Sequence, residues 1–252
     1  MGTLVVLAVG PGFLLLHAVY AIDRHDKEPW RNVLRYVFLG AAAGLLAAIV
    51  EVAWQGTVPQ RLVSHPLAVV VSMFVGVALV EEGAKFLLLR FGARRDRHIT
   101  EPFDWIVYGV TVALGFATLE NVAYVLPGGV EVGLLRAALA VPGHALDGTL
   151  MGDRLARAAT ASDAAAARRE KRLAVLEPTL WHGAYDSLAV GSLIAASGAA
   201  RNACVAGFAL LVLAQWVVAA RRVRRHWRAV SEKRVPPILF PFGRRERRSG
   251  AA

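Results

Sequence analysis

Long apolar stretches dominate this chain. Apolar residues make up 56% of its 252 positions, and the mean hydropathy is +0.47. Crossing ~30 Å of hydrocarbon takes about 20 helical residues at 1.5 Å each. The pattern therefore predicts an all-α, polytopic transmembrane helix bundle of about seven spans. The predicted spans are 3–22, 33–54, 66–90, 104–126, 134–152, 173–197 and 202–220.

Basic residues alternate between dense and sparse along the successive connections. The dense groups are Arg24 to Arg35, Arg90 to Arg97, and the six in 153–172. The positive-inside rule then predicts an outer N-terminus and a cytoplasmic C-terminus, in a multi-pass protein of the cell membrane. The net charge of +10 is also compatible with nucleic-acid binding. The eleven basic residues of 221–252 fit a juxtamembrane patch for anionic lipid better, so no nucleic-acid partner is expected.

The chain divides into a helix bundle over 1–220 and a basic cytoplasmic tail over 221–252. The tail is expected to continue the last helix, break near Pro236, and be partly disordered. The connection 153–172 is rich in Ala, Arg and Glu, which predicts a helical hairpin or an interfacial helix. Glycines that would let helix backbones approach closely are Gly40, Gly44, Gly109, Gly115, Gly148 and Gly152.

Ionisable residues interrupt four consecutive spans. An ionised side chain at the bilayer centre costs about 2.5–3.5 kcal/mol on the lenient insertion scale, so such residues must face one another, water or a metal. In Glu81-Glu82-Gly-Ala-Lys85, the lysine lies one turn beyond both acids and can neutralise one of them. The other glutamate is then suited to taking a proton from water. The alternative is an ion pair that only stabilises a helix end.

The next two spans each carry a polar pair. Glu120 is a candidate metal ligand or a carboxylate that orients a histidine, and Asn121 is a candidate hydrogen-bond donor. An interhelical hydrogen bond is the alternative. His144 and Asp147 follow Pro142-Gly143, which loosens a helix and is more typical of a cavity wall than of a lipid-facing surface. His144 could instead be satisfied by a neighbouring helix.

The sixth predicted span contains His182 and Asp186, an i,i+4 pair on one helix face. The aspartate can hold the imidazole tautomer while the other ring nitrogen binds a metal or an oxyanion. Together, the four clusters indicate a zinc or water-activating site built from separate helices. The chain has no HExxH, GxSxG, P-loop or CxxC motif, so serine and cysteine nucleophile schemes have little support.

These motifs together resemble the PrsW family of bacterial intramembrane proteases, within the CAAX-protease and bacteriocin-processing clan. The matching pieces run in family order. They are Asp23-Arg24, Lys27-Glu28-Pro29, Glu81-Glu82-x-x-Lys85, Phe116-Ala-Thr-Leu-Glu120-Asn121, His144-Ala with Gly148 and Met151-Gly152, and His182-Gly183-x-Tyr185-Asp186. Asp147 departs from the pattern, since an apolar residue is expected there.

The resemblance implies hydrolysis of a peptide bond in a membrane-anchored protein. The best-understood role in the family is cleavage of an anti-sigma factor under envelope stress. Glu81 or Glu82 would then be the general base on a water held between His144 and His182. A divalent metal, with zinc as first choice, would be bound by His144, His182 and Glu120.

Two residues complete this expected site. Asp186 would position it, and Asn121 or a histidine would stabilise the oxyanion. The clan also supports a glutamate-activated water without a metal. Ideal helices place Glu81 and Glu82 slightly to the cytoplasmic side of mid-span and Glu120 about five residues to the outer side, so the three acids are not obviously level.

Two other classes of function remain open from the residues alone. Buried chains of Glu, His and Asp also form the proton relays of ion-coupled transporters. A non-catalytic membrane scaffold is the third interpretation.

Overall fold

The protein is helical throughout the part that the computed structural model describes, namely residues 1–22, 27–57, 65–94 and 96–232. The α-helices are α1 (Gly2–Ile22), α2 (Trp30–Thr57), α3 (Pro66–Val71), α4 (Leu79–Ala93), α5 (Pro102–Leu135), α6 (Val141–Ala159), α7 (Ala164–Ile194) and α8 (Gly198–Ser231). Two π-helical segments, Ser72–Ala78 and Arg136–Ala140, join α3 to α4 and α5 to α6. The predicted all-α class is confirmed.

Five helical stretches among the described residues are long and apolar enough to cross a membrane, which confirms a multi-pass membrane protein. They are Gly2–Ile22, Trp30–Thr57, Pro66–Ala93, Pro102–Ala159 and Gly198–Ala229. The fourth is 58 residues long, about 87 Å of straight helix, which is far more than one crossing needs. Helix α7, which contains residues 173–194 of the predicted sixth span 173–197, does not qualify by composition. Seven spans and their orientation therefore stay a prediction.

The 58-residue stretch folds back on itself at Gly129. This glycine has φ 80° and ψ −166°, a conformation that residues with a Cβ rarely adopt, and Pro127 precedes it. The two arms then pack side by side along Gly109 and Gly148. A Cβ built on Gly109 would lie 2.5 Å from the Gly148 carbonyl oxygen, and one on Gly148 would lie 2.6 Å from the Gly109 carbonyl oxygen. The predicted close approach is confirmed for these two helices.

The start of α5 is fixed by a capping box. The Glu101 side chain accepts from the N3 backbone amide, the Asp104 carboxylate accepts from the Glu101 amide, and Pro102 occupies the first turn. The connection 153–172 is helical as predicted, since α6 ends at Ala159 and α7 begins at Ala164.

Residues at the start of α2 are tied to α5 by buried polar contacts. Tyr108 donates to Glu28 and accepts from Asn32, and Asn32 and Tyr36 each donate to Asp96 at 2.8 Å. Glu28, which belongs to the Lys27-Glu28-Pro29 motif, therefore packs at the end of the bundle where α2 and α5 begin. Asp23-Arg24 of the same motif and the predicted disordered tail from 233 onwards lie outside the described residues.

Candidate active site

Ionisable residues of five helices, α2, α4, α5, α6 and α7, meet at a cavity of about 460 Å³. Its polar wall comes from α2, α4, α5, α6, α7 and α8. The lining includes Glu51, Gln55, Glu81, Glu120, Tyr124, Arg136, His144, Asp147, His182, Tyr185, Asp186 and Gln215. Five of these are acids and one is an arginine, so the cavity has a predominantly acidic wall.

The centre of the site is a group that we call the cavity cluster: Glu81, Glu82, Lys85, His144 and His182. Lys85 Nζ lies 3.2 Å from Glu81 Oε2, 2.7 Å from Glu82 Oε1 and 3.1 Å from His144 Nδ1. The ammonium also lies 4.0 Å from the centroid of the Phe116 ring. Lys85 therefore contacts both glutamates at once, where the sequence predicted that it neutralises one of them.

Glu81 and Glu82 are adjacent in sequence but occupy different environments. Glu81 lines the cavity, with Oε2 3.9 Å from His182 Nε2. Glu82 is completely buried, and its Oε1 contacts both Lys85 and, at 2.9 Å, His182 Nδ1. Among the described residues, its buried Oε2 makes no hydrogen bond. One glutamate thus faces the space where a substrate would lie, and the other holds two cationic or polar partners in place.

Carboxylates face both nitrogens of His182. Nδ1 bonds to Glu82, and Nε2 lies 3.3 Å from Asp186 Oδ2, the i,i+4 neighbour that the sequence predicted on the same face. Because ionised carboxylates can only accept, both ring nitrogens are placed to donate, which is the arrangement of an imidazolium. Pro178, one turn before His182, also leaves α7 without one of its backbone hydrogen bonds there.

The tautomer of His144 follows from its two partners. The Lys85 ammonium is only a donor, so His144 Nδ1 accepts and the ring proton lies on Nε2. His144 Nε2 lies 2.8 Å from Glu120 Oε2, which accepts that proton's hydrogen bond. Glu120 therefore contacts His144 directly, so its offset from Glu81 along ideal helices does not keep it out of the site. The π segment Arg136–Ala140 immediately precedes the helix that carries His144.

Asn121 is buried beside this pair but does not line the cavity. Its amide nitrogen donates to the Ala8 carbonyl at 3.3 Å, and its oxygen accepts from Arg136 Nε at 2.6 Å. Arg136 Nη2 also donates to Glu120 at 2.6 Å. Arg136 was not among the site residues predicted from the sequence, although an arginine just inside an apolar span is unusual enough to mark a candidate.

Gln215 is a second cavity residue that the sequence analysis missed. This fully buried amide on α8 donates to Asp147 Oδ1 at 2.7 Å. Asp147, the departure from the family pattern, therefore has a partner on another helix. The sequence held two signals for this contact. One was a glutamine, Gln215, inside an otherwise apolar span, and the other was the unusual acid Asp147.

The donors of the cavity cluster fit a divalent metal such as zinc. One ligand atom from each of Glu81, Glu82, His144 and His182 lies within 4.8 Å of the others. Imidazole and carboxylate are ordinary zinc ligands at about 2 Å. Glu82 Oε2, which makes no hydrogen bond among the described residues, is a further possible ligand atom. Two features oppose it. The Lys85 ammonium contacts three of the four side chains and must move aside before a cation can share them. His182, whose two ring nitrogens are both placed to donate, must also lose one ring proton before it can bind a metal.

A second group of buried charges lies at the other end of α6 and α8; we call it the Asp153 cluster. Its members are Asp153, Arg154, Arg157, Glu170, Glu177, Arg222, Arg225 and His226. Asp153 has no exposed surface and is surrounded by cationic or polar partners, including Arg222 at 3.1 Å and His226 at 2.9 Å. This cluster joins three helices, and none of its members lines the cavity.

Comparison with known proteins agrees with the motifs. A family model described as "PrsW family intramembrane metalloprotease" matches residues 28–220. The match extends through most of α8, beyond the last motif that the sequence analysis used, and begins after Asp23-Arg24. No solved structure is significantly similar to the chain.

Curated relatives named Protease PrsW match most of the chain. The relative from Bacillus subtilis (strain 168) is 36% identical over 186 residues, covering 74% of this chain and 82% of the relative. The relative from Geobacillus kaustophilus (strain HTA426) is 32% identical over 240 residues, covering 94% and 98%. The relative from Clostridioides difficile (strain 630) is 29% identical over 187 residues, covering 73% and 77%. The chain therefore belongs to the PrsW family of intramembrane proteases.

Proposed function

We propose that this intramembrane protease hydrolyses a peptide bond of a membrane-anchored protein with water activated by Glu81. The observation that carries the proposal is that the two adjacent glutamates have different surroundings. Glu81 lines the cavity, whereas both partners of Glu82, Lys85 and His182, belong to the cluster itself. Glu82 is therefore assigned the role of a positioning residue.

The chemistry needs one proton carrier and one oxyanion donor. The Glu81 carboxylate takes a proton from water as the oxygen attacks the scissile carbonyl carbon. His182 Nε2, which faces Glu81 across 3.9 Å, donates to the developing oxyanion. The proton on Glu81 then passes to the leaving amine as the C–N bond breaks. Asp186 orients His182, and Glu120 orients His144, which helps fix Lys85 against the acids.

A divalent metal, with zinc as first choice, would be held by His144 and His182 together with Glu82, which leaves Glu81 as the base. It would supply Lewis-acid polarisation of the scissile carbonyl in place of the His182 hydrogen bond. Glu120 would not be one of the metal ligands, because its Oε2 already bonds to His144 Nε2 and Arg136. It would hold His144 in position instead. Elemental analysis of the purified full chain tests this. We expect about one bound zinc per chain. The His144→Ala/His182→Ala double variant should lose this zinc. The Lys85→Met variant should bind zinc at least as tightly as wild type.

The substrate we propose is a single-span protein such as an anti-sigma factor, which would reach the cavity from the outer side of the membrane. Several cavity residues lie close to the basic-poor ends of their helices: Gln55 is two residues before the end of α2, and Arg136 follows the turn at Gly129. At the opposite end, Arg221, Arg224, Arg225 and Arg228 of α8 line a groove suited to anionic lipid headgroups.

The test is cleavage of a membrane-anchored reporter by the full-length protein in liposomes. General-base catalysis contributes about 10²–10⁴-fold, so Glu81→Gln is expected to lower kcat by that factor, and His182→Ala by at least 10²-fold. Glu170→Gln serves as the control. It makes the same carboxylate-to-amide change in the Asp153 cluster, where Glu170 accepts a hydrogen bond from Arg154, and it should leave kcat within about twofold. Full activity of Glu81→Gln would remove Glu81 as the base.

A further inference from the structure

We infer that Arg136 is a positioning residue of the active site, acting through Glu120 on His144. Arg136 opens the π segment after the turn at Gly129, and Glu120 lies sixteen residues earlier in the arm before that turn. The arginine thus reaches back across the turn to the carboxylate that contacts His144. The inference rests on the roles proposed above for Glu120 and His144.

The guanidinium of Arg136 is fixed on three sides. Nη2 donates to Glu120 Oε2 at 2.6 Å, and Nε donates to Asn121 Oδ1 at 2.6 Å. The Tyr124 ring centroid lies 4.5 Å from its Cζ. Asn121 is in turn held by the Ala8 carbonyl of α1. A planar guanidinium that bonds two side chains and stacks on a third has very little freedom to rotate.

Glu120 needs such a partner more than Glu81 and Glu82 do. Its side chain is 22% exposed, against 5% for Glu81 and 0% for Glu82, so packing holds it less tightly. Its Oε2 accepts from both Arg136 and His144. Without the arginine, the Glu120 carboxylate would be free to rotate away from His144, and the His144 ring would lose the contact that fixes its tautomer and its orientation towards Lys85.

These contacts complete a polar chain across the bundle. It runs from the Ala8 carbonyl through Asn121, Arg136, Glu120, His144, Lys85, Glu82 and His182 to Asp186. Arg136 is the link that joins the buried α1–α5 contact to the catalytic residues. If Arg136 only stabilised the turn at Gly129, its bond to Asn121 would be sufficient. The additional bond to Glu120 connects it to the site.

The test measures kcat, KM and Tm of the full chain in liposomes with a membrane-anchored peptide. Changing a residue that orients a site ligand typically costs 10–100-fold, so Arg136→Met is expected to lower kcat about 10–100-fold with KM within about twofold. Arg136→Lys keeps the charge but can bond only one partner well, and should recover to within about tenfold of wild type. Arg154→Met is the matched control. Arg154 is 17% exposed, against 15% for Arg136, and also binds two side chains, so kcat should hold while Tm falls.

A double-mutant cycle with Glu120→Gln decides the route of action. If Arg136 acts through Glu120, the double variant should be no slower than the slower single variant. Rate losses that multiply, or a raised KM with unchanged kcat, would overturn the inference in favour of direct substrate contact. An unchanged kcat in Arg136→Met would overturn it outright. If Glu120→Gln itself is fully active, the proposed role of Glu120 fails before that of Arg136 is reached.

Discussion

The cavity cluster and the Asp153 cluster both bury acids beside basic side chains and both include residues of α6 and α7, but their charge balance differs. Around Asp153, Arg157, Arg222 and Arg225 lie at ion-pair distance from one carboxylate, with His226 as a further partner. In the cavity cluster a single lysine serves two glutamates. Among the described residues, buried carboxylate oxygens without a partner belong to Glu51 and Glu82, one lining the cavity and the other in its cluster.

The difference shows that buried charge does not by itself identify an active site. Asp153 is as deeply buried as Glu82, yet both of its carboxylate oxygens have cationic or polar partners, and it does not line the cavity. A network saturated in this way fastens helices together. The cavity cluster combines unsaturated carboxylates with room for a substrate, which is the combination that a hydrolytic site needs.

Lys85→Met is expected to give the largest effect. Removing the cation leaves two buried carboxylates side by side, and breaking a buried ion pair from one side costs about 3–5 kcal/mol. Thermal unfolding in detergent should show this loss, and peptide cleavage should fall with it because His144 loses the donor to Nδ1. Adding Glu82→Gln removes one uncompensated charge and should restore stability in part, without restoring cleavage. An equal Tm for the single variant and wild type would contradict the assigned role of Lys85.

Asp153→Asn tests the other region. The change leaves several arginines facing one another, but these are partly exposed, with Arg225 at 52% and Arg157 at 37%. Solvent screening therefore reduces the expected loss of stability to about 2 kcal/mol. Since none of these side chains lines the cavity, kcat should stay within about twofold at a temperature where the protein is folded. A large fall in kcat with an unchanged KM would show that the two regions are coupled through α6.

The sequence predicted the parts of this site that depend on helical spacing. Lys85 contacts both glutamates because i+3 and i+4 share a face, and Asp186 faces His182 for the same reason. Helix class followed from the apolar lengths, and the approach of α5 to α6 from their glycines. Each of these features is determined within one helix or by the size of a side chain.

Contacts that depend on how two helices meet could not be predicted in this way. The spans 104–126 and 134–152 predicted a connection that includes Gly129, but the Arg136–Glu120 pair also requires the π segment, which has no period that a sequence displays. The partner of Asp147 lies 68 residues away, on α8. Asn121 was predicted to serve as a donor in the site, but whether its amide pointed to the cavity or to α1 depended on packing that only the three-dimensional arrangement reveals.

Gln215→Leu is expected to have a smaller effect than either charge substitution. It leaves the buried Asp147 carboxylate without its amide donor, at a cost of about 1–2 kcal/mol. A modest fall in kcat should accompany this, because Asp147 lines the cavity one turn from His144. Replacing both partners, as Asp147→Leu/Gln215→Leu, should be less destabilising than the single change, since no polar group is then orphaned. A double variant less stable than Gln215→Leu would indicate that Asp147 stabilises the fold through other contacts.

Asp163→Ala should have the smallest effect and lies outside both clusters, at the start of α7. Hydrogen bonds from the amides of Ala166 and Ala165 hold the pKa of Asp163 below its usual value. Because the folded-state pKa is depressed, the stabilisation is present above the unfolded value of about 3.9 and is lost as pH falls through the folded pKa. Hydrogen exchange of the first turn of α7 should therefore speed up in the variant at pH 7, and the difference from wild type should shrink towards pH 3. Cleavage activity should not change, since the residue is exposed and far along α7 from His182; a loss of activity would mean that the start of α7 controls the position of the catalytic histidine.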